Sequence, residues 1–205
     1  MIFSDRQFRH IVITIYIMFK AGRGAMKLSH TACFSGYRPE KLPFPLEAGC
    51  EPYINLQAAI TRAIEESVLA GYTRFLSGMA RGFDLVCSCI LLEMKKNSPA
   101  YTDIELVAVL PFAGHGFKGR WGDIHDMVLG KASEIITLPS QANQQAYLNR
   151  NRFMVEQSSR LLCYYDGQPG GTAHTFHCAI QNGLEILNLA DDCYSRKRPG
   201  GCNCA

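Results

Sequence analysis

The sequence predicts a doubly wound α/β domain, with a mainly parallel sheet of about six strands and helices on both faces. Three observations carry that expectation. Between Ser29 and Leu189, short β-like runs alternate with longer stretches of helical spacing, the order that arises when each strand is followed by a crossover helix. The short runs are apolar nearly throughout rather than alternating, as strands covered on both faces must be. Glycine-rich segments follow several of these strands, where an open parallel sheet turns toward its helices and receives its ligands.

The first strand is predicted over His30–Ser35 and runs into Gly36-Tyr37-Arg38-Pro39. From Ile54 to Ala70 the positions Ile54, Ala58, Ile60, Ala63, Ile64, Ser67 and Val68 recur at helical intervals, giving one buried stripe. A second strand over Thr73–Ser77 precedes the loop Gly78-Met79-Ala80-Arg81-Gly82-Phe83 and a helix over Asp84–Lys96. The third strand, Glu105–Leu110, leads through Pro111–Trp121 to a helix over Ile124–Lys131. Strands over Glu134–Leu138 and Arg160–Tyr165 bracket a helix over Asn143–Gln157. The loop Asp166–Gly171 then opens a helix over Thr172–Asn182, which Gly183 stops before a last strand over Leu184–Leu189.

Bulk properties narrow the function classes. The chain has 205 residues and is 47% apolar, enough for one core without disulfides or metals. Its net charge is +3, from 21 basic and 18 acidic residues, so no single-sign field marks a nucleic-acid or membrane partner. The nine cysteines form no Cys-x-x-Cys pair and are odd in number, and Cys163 sits inside an apolar run. A reduced, cytoplasmic chain is expected. Cys202 and Cys204 lie close together near the end without a partnering His, too little for a metal site. A basic stretch, Arg6 to His10, precedes the apolar run Ile11 to Phe19. That run resembles a signal peptide but lacks small residues for cleavage, and it is too short to span a bilayer. Residues 1–25 are therefore expected to be an extension upstream of a domain at 26–189, with a disordered tail over 190–205.

Two glycine-rich loops enter helices directly. Glycine lets backbone N–H groups close on an anion, and the helix start adds its positive dipole end. The expected ligand-binding residues are Ser35, Gly36 and Arg38 after the first strand, and Ser77, Gly78, Met79, Ala80, Arg81, Gly82 and Asp84 after the second. Arg152, Gly170, Gly171 and Thr172 complete the set. Asp84 either complements a helix dipole or accepts hydrogen bonds from ribose hydroxyls. One of Arg150 and Arg152 is expected to meet phosphate, the other to serve in an ion pair. The Pro111–Trp121 loop mixes aromatics with Lys118 and Arg120, which leaves open base stacking or a lid with Trp121 packed into the core. His174 and His177 lie three apart with no third ligand, so no metal is expected there.

The chain resembles the YpsA-like family of the SLOG superfamily of Rossmann-like domains. The resemblance rests on Cys33-Phe34-Ser35-Gly36-Tyr37-Arg38-Pro39, the Ser77–Asp84 loop, Leu110-Pro111-Phe112, Asn149–Ser159 and Tyr165-Asp166. It implies a Rossmann-like fold that binds or senses a nucleotide or nucleotide-derived small molecule. The core is also similar to the DNA-processing protein A family, which binds single-stranded DNA, and distantly to LOG-type phosphoribohydrolases. In the latter a catalytic glutamate closely follows the Pro-Gly-Gly loop; here Thr172 is followed by Ala173 and His174, and no glutamate comes before Glu185. An N-glycosidic hydrolase using Asp84 or Glu156, and single-stranded DNA binding, remain as alternatives. The ligand, any cofactor and a homo-oligomeric state are left open.

Overall fold

The structure, a computed structural model, describes residues 30–190. Six strands, β1 (Thr31–Ser35), β2 (Arg74–Ser77), β3 (Glu105–Leu110), β4 (Glu134–Thr137), β5 (Arg160–Cys163) and β6 (Glu185–Asn188), form one sheet in the order β4-β3-β2-β1-β5-β6. Every ladder is parallel. The expected strands are present, β3 with the expected bounds and the other five shorter by one or two residues. Leu138 and Leu189, just past the ends, still donate backbone N–H groups to Leu110 and Cys163, so the difference is one of strand definition.

Five helices connect the strands: α1 (Glu51–Leu69), α2 (Phe83–Asn97), α3 (Arg120–Lys131), α4 (Gln144–Glu156) and α5 (Gly171–Gln181). Helix α4 is capped by Asn143, whose side chain accepts the Ala146 N–H at 2.9 Å. Two short 3-10 turns, Pro39–Lys41 and Pro99–Tyr101, were not expected, being too short to show periodicity.

Residue parity along the strands sorts the core into two faces. Phe34, Phe75, Leu106 and Leu162 join Leu56, Ile60 and Ile64 of α1, Leu91 of α2 and Val128 of α3. Cys33, Leu76, Val107 and Leu161 instead join Met154 and Val155 of α4 and Ala179 of α5. This division follows from crossover handedness. From β1 to β4 the chain steps outward in one direction; it then returns to β5 on the far side of β1 and steps the other way. A right-handed crossover running in the opposite direction must lay its helix on the opposite face. The reversal falls between β1 and β5, where the loops leaving the two strands diverge and open a crevice at their carboxyl ends.

Cys33, Cys87 and Cys163 are buried and in no disulfide, and burial pushes the Cys33 thiol up to about 12. Such cysteines act as small apolar fillers. Among the described residues, no helix is long and apolar enough to cross a membrane. The expected extension over 1–25, residues 191–205 of the expected tail, and with them Cys193, Cys202 and Cys204, lie outside the described residues, whereas Ala190, expected to open that tail, is buried against the core.

Candidate functional site

A cavity of about 240 Å³ fills the crevice. One wall comes from the loop after β1, which is stitched to the loop after β5. The buried Tyr37 hydroxyl donates to Asp166 Oδ1 at 2.7 Å and accepts the Gln168 N–H at 3.1 Å. Thr172 Oγ1 donates to the Gly36 carbonyl at 3.0 Å, and Lys41 Nζ donates to the Pro169 carbonyl at 2.7 Å. These bonds present the start of α5 to the cavity. Gly170 has no side chain to cap that helix, and a Cβ added to Gly171 would meet nothing within 4 Å. Gly170, Gly171 and Thr172 line the cavity, which puts there the positive end of the dipole and the first-turn N–H groups that no helix can satisfy internally. Arg38 and Lys41 line the same wall, and the Arg38 guanidinium lies 5.7 Å from the centre of the Tyr147 ring.

The opposite wall holds two buried charges. Asp84, 5% exposed in the first turn of α2, accepts the Gly36 N–H at 3.3 Å. Burial pushes its carboxyl up to about 6, against the pull of Arg150, of the Ala80 and Gly36 N–H groups, and of Arg38. Arg150 of α4 is 4% exposed. Its Nε donates to Asn151 Oδ1 at 2.8 Å, while its Nη1 is buried without a hydrogen-bond partner. Burial lowers the guanidinium pKa, and Asp84 opposes that shift. Neither charge fully offsets the desolvation of the other, the condition in which a buried pair costs folding energy. A Cβ on Gly78 would stand 2.4 Å from Arg150 Nη1 and 2.8 Å from Asp84 Oδ2. Gly78 is thus the gap that admits both groups.

Of the expected residues, Ser35, Gly36, Arg38, Ala80, Asp84, Gly170, Gly171 and Thr172 line the cavity, whereas Ser77, Gly78, Met79, Arg81 and Gly82 do not. The Ser77 hydroxyl accepts from the Met79 N–H and from Ser88 Oγ, and Met79 is fully buried with φ +56°. Arg81 pairs with Glu40 at 3.0 Å and lies 5.7 Å over the Phe117 ring. Gly82 has φ +88°, and a Cβ there would come within 2.6 Å of the Tyr37 carbonyl. The glycines at Gly78 and Gly82 therefore serve packing around the site, and the open approach expected of both loops exists only at the second.

Arg152 stands apart from these residues. It is exposed and outside the cavity lining, which takes Arg150 instead; two residues along a helix turn a side chain by about 200°. Lys41, Tyr147 and Asn151 were also missed. The signal for Arg150 was present, because Ala146, Arg150 and Met154 share one buried i, i+4 stripe of α4. Glu156 does not line the cavity, and Glu185 opens β6 at the other end of the sheet, paired with Arg160 at 2.8 Å.

Behind Tyr147, the Pro111–Trp121 loop turns its aromatics inward, and Trp121 packs against the core. His115 is 6% exposed, meets Phe112, Phe117 and Tyr147 edge-on, and lies 5.4 Å from the His125 ring. Burial, then Arg150, His125 and Arg38, push the His115 pKa down to about 4. No cluster of three or more His, Cys, Asp or Glu suited to a metal occurs among the described residues.

A family model described as the YspA SLOG family matches residues 32–188. No curated protein matches the chain. Among solved structures, DNA processing protein A from Streptococcus pneumoniae is similar with a TM-score of 0.52 at 14% identity, over 82% of this chain and 55% of that one. DNA processing protein A from Helicobacter pylori, described with its single-stranded DNA binding mode, gives 0.51 at 16% identity, over 76% and 63%. The chain thus spans between about half and two thirds of the length of these proteins, and at such identities the likeness is one of fold.

Proposed function

The chain belongs to the YspA SLOG family, and from that membership and the geometry of the cavity we propose that it binds or senses a nucleotide or nucleotide-derived ligand. The observation that carries this reading is the pairing, across one cavity, of an uncapped helix start with a buried carboxylate. A phosphoryl group sits on the N–H groups at Gly171 and Thr172, with Lys41 and Arg38 at its side, where dipole and cations favour an anion. Asp84 accepts hydrogen bonds from ribose hydroxyls, which inorganic phosphate cannot offer it.

Calorimetric titration of the full chain with nucleoside 5′-monophosphates and with inorganic phosphate tests this. Gly171→Val projects into open cavity, so it is expected to abolish nucleotide binding without lowering the melting temperature. Asp84→Asn is expected to weaken nucleotides more than phosphate. Unchanged nucleotide affinity in folded Gly171→Val would remove the site.

A second reading is favoured by the fold shared with the Helicobacter protein described with its single-stranded DNA binding mode. In that case the cavity takes one nucleotide unit of a strand, and a labelled single-stranded oligonucleotide binds more tightly than any mononucleotide and competes with it.

A further inference from the structure

The proposed nucleotide site places a phosphoryl group on the start of α5 and ribose on Asp84, and it leaves the base without a seat. Tyr147, in the first turn of α4, stands where one is needed. Its half-buried ring lines the cavity. Phe112 and His115 pack against the ring at 86° and 69°, with centres 5.8 and 5.9 Å away, so its orientation is held by neighbours outside the cavity lining. In the cavity, the Arg38 guanidinium lies over the same ring, 5.7 Å from its centre. Arg38 is exposed, and a cation–π contact in water is weak enough for another flat group to displace it.

The spacing also suits one nucleotide. Helices α4 and α5 cover the same face of the sheet and, each joining two parallel strands, run in the same direction. Asn151 Nδ2 donates to Thr175 Oγ1 at 2.8 Å, which pins their second turns together. Tyr147 precedes Asn151 by one turn, and Gly171 precedes Thr175 by one turn, so the ring and the phosphate seat lie level across neighbouring helices. Packed helix axes stand roughly 8–10 Å apart, the reach of a mononucleotide from its phosphate to its base.

On the nucleotide reading above, we propose that Tyr147 is the seat of the base: the base stacks on the ring in place of Arg38, and the displaced guanidinium turns to the phosphoryl group. Every base has a π face, so the platform demands an aromatic base and ranks purines above pyrimidines by stacking area. Phosphate oxygens are stronger partners for a guanidinium than a ring face is, so the exchange favours the bound state. The ligand is a free mononucleotide. A strand is held by stacking successive bases on successive aromatics, whereas the other aromatic of the lining, Tyr37, is 2% exposed and has its hydroxyl taken by Asp166 and Gln168.

Calorimetric titration of the full chain with adenosine, uridine and dihydrouridine 5′-monophosphates, with ribose 5-phosphate and with a 5′-phosphorylated oligonucleotide tests the proposal. Adenosine monophosphate is expected to bind about fivefold to 150-fold more tightly than ribose 5-phosphate, the range of one stacked base. Uridine monophosphate falls between them. Its dihydro derivative keeps the hydrogen-bonding edge, loses the aromatic face, and binds like ribose 5-phosphate; this comparison needs only the native protein. Tyr147→Phe keeps the ratio of adenosine monophosphate to ribose 5-phosphate affinity and Tyr147→Leu lowers it to about one, with circular dichroism establishing folding. Arg38→Gln weakens both ligands alike, because its contact in the complex is with phosphate. Dihydrouridine monophosphate as tight as uridine monophosphate, or a ratio unchanged in folded Tyr147→Leu, would overturn the platform while leaving the nucleotide reading intact. A ratio that falls in Arg38→Gln would overturn the exchange, and tighter binding of the oligonucleotide would overturn the free ligand. If none of the probes binds, the nucleotide reading itself fails.

Discussion

Replacing Asp84 or His115 should give the protein's stability a pH dependence that the native chain conceals. The Asp84 pKa is raised from 3.8 to about 6 by burial, so its contribution to stability is full below 3.8 and is lost as pH rises through 6. At about 1.4 kcal/mol per pK unit, the loss is about 3 kcal/mol. The His115 pKa is lowered from 6.5 to about 4, burial again leading, with Arg150, His125 and Arg38 adding to it. Its contribution is full above 6.5 and is lost as pH falls through 4, again by about 3 kcal/mol. Between pH 4 and 6.5 the two slopes oppose and largely cancel. Asp84→Asn should therefore gain about 3 kcal/mol relative to wild type as pH rises across that window, and His115→Phe a similar amount as pH falls. Urea denaturation followed by circular dichroism at a series of pH values measures both differences, with the remaining ionisable groups cancelling in each. A difference between Asp84→Asn and wild type that stays flat with pH would refute the assignment of an under-compensated buried carboxylate.

Two further outcomes are expected. Gly82→Ala forces a side chain onto φ +88° and against the Tyr37 carbonyl, which should cost about 2–4 kcal/mol in chemical denaturation; a loss near zero would mean that the loop relaxes freely. Nucleoside monophosphates should remain intact on incubation, because Thr172 is followed by no carboxylate in the cavity and Glu185 lies at the opposite end of the sheet. Chromatography that detects free base, with its release lost in Asp84→Asn, would convert the site into that of a hydrolase with Asp84 as its acid or base.

The α/β class, the six strands and the five helices were legible in the sequence because each rests on local physics. Apolar runs such as Leu106–Leu110 report a strand covered on both faces. The spacing of Ile60, Ala63, Ile64 and Ser67 reports a helix stripe, and Gly183 reports a helix end. The loops bearing Gly36, Asp84 and Gly171 were legible as well, since a parallel sheet binds at its carboxyl end whatever its strand order.

The placement of β5 beside β1 was not legible, because strand order is set by long-range pairing, and it alone decides that Gly171 and Gly36 share one wall. The choice of Arg150 over Arg152 depended on the rotation of α4 against the sheet, which packing of Ala146 and Met154 determines. The glycines show the same division. Sequence marks Gly78, Gly82 and Gly171 as alike, but only their neighbours distinguish a gap for Arg150 and Asp84, a strained turn over the Tyr37 carbonyl, and a helix start open to a ligand. Local chemistry therefore determined which elements and loops exist. Tertiary packing decided which side chains meet, because burial and desolvation act on contacts between residues far apart in the chain.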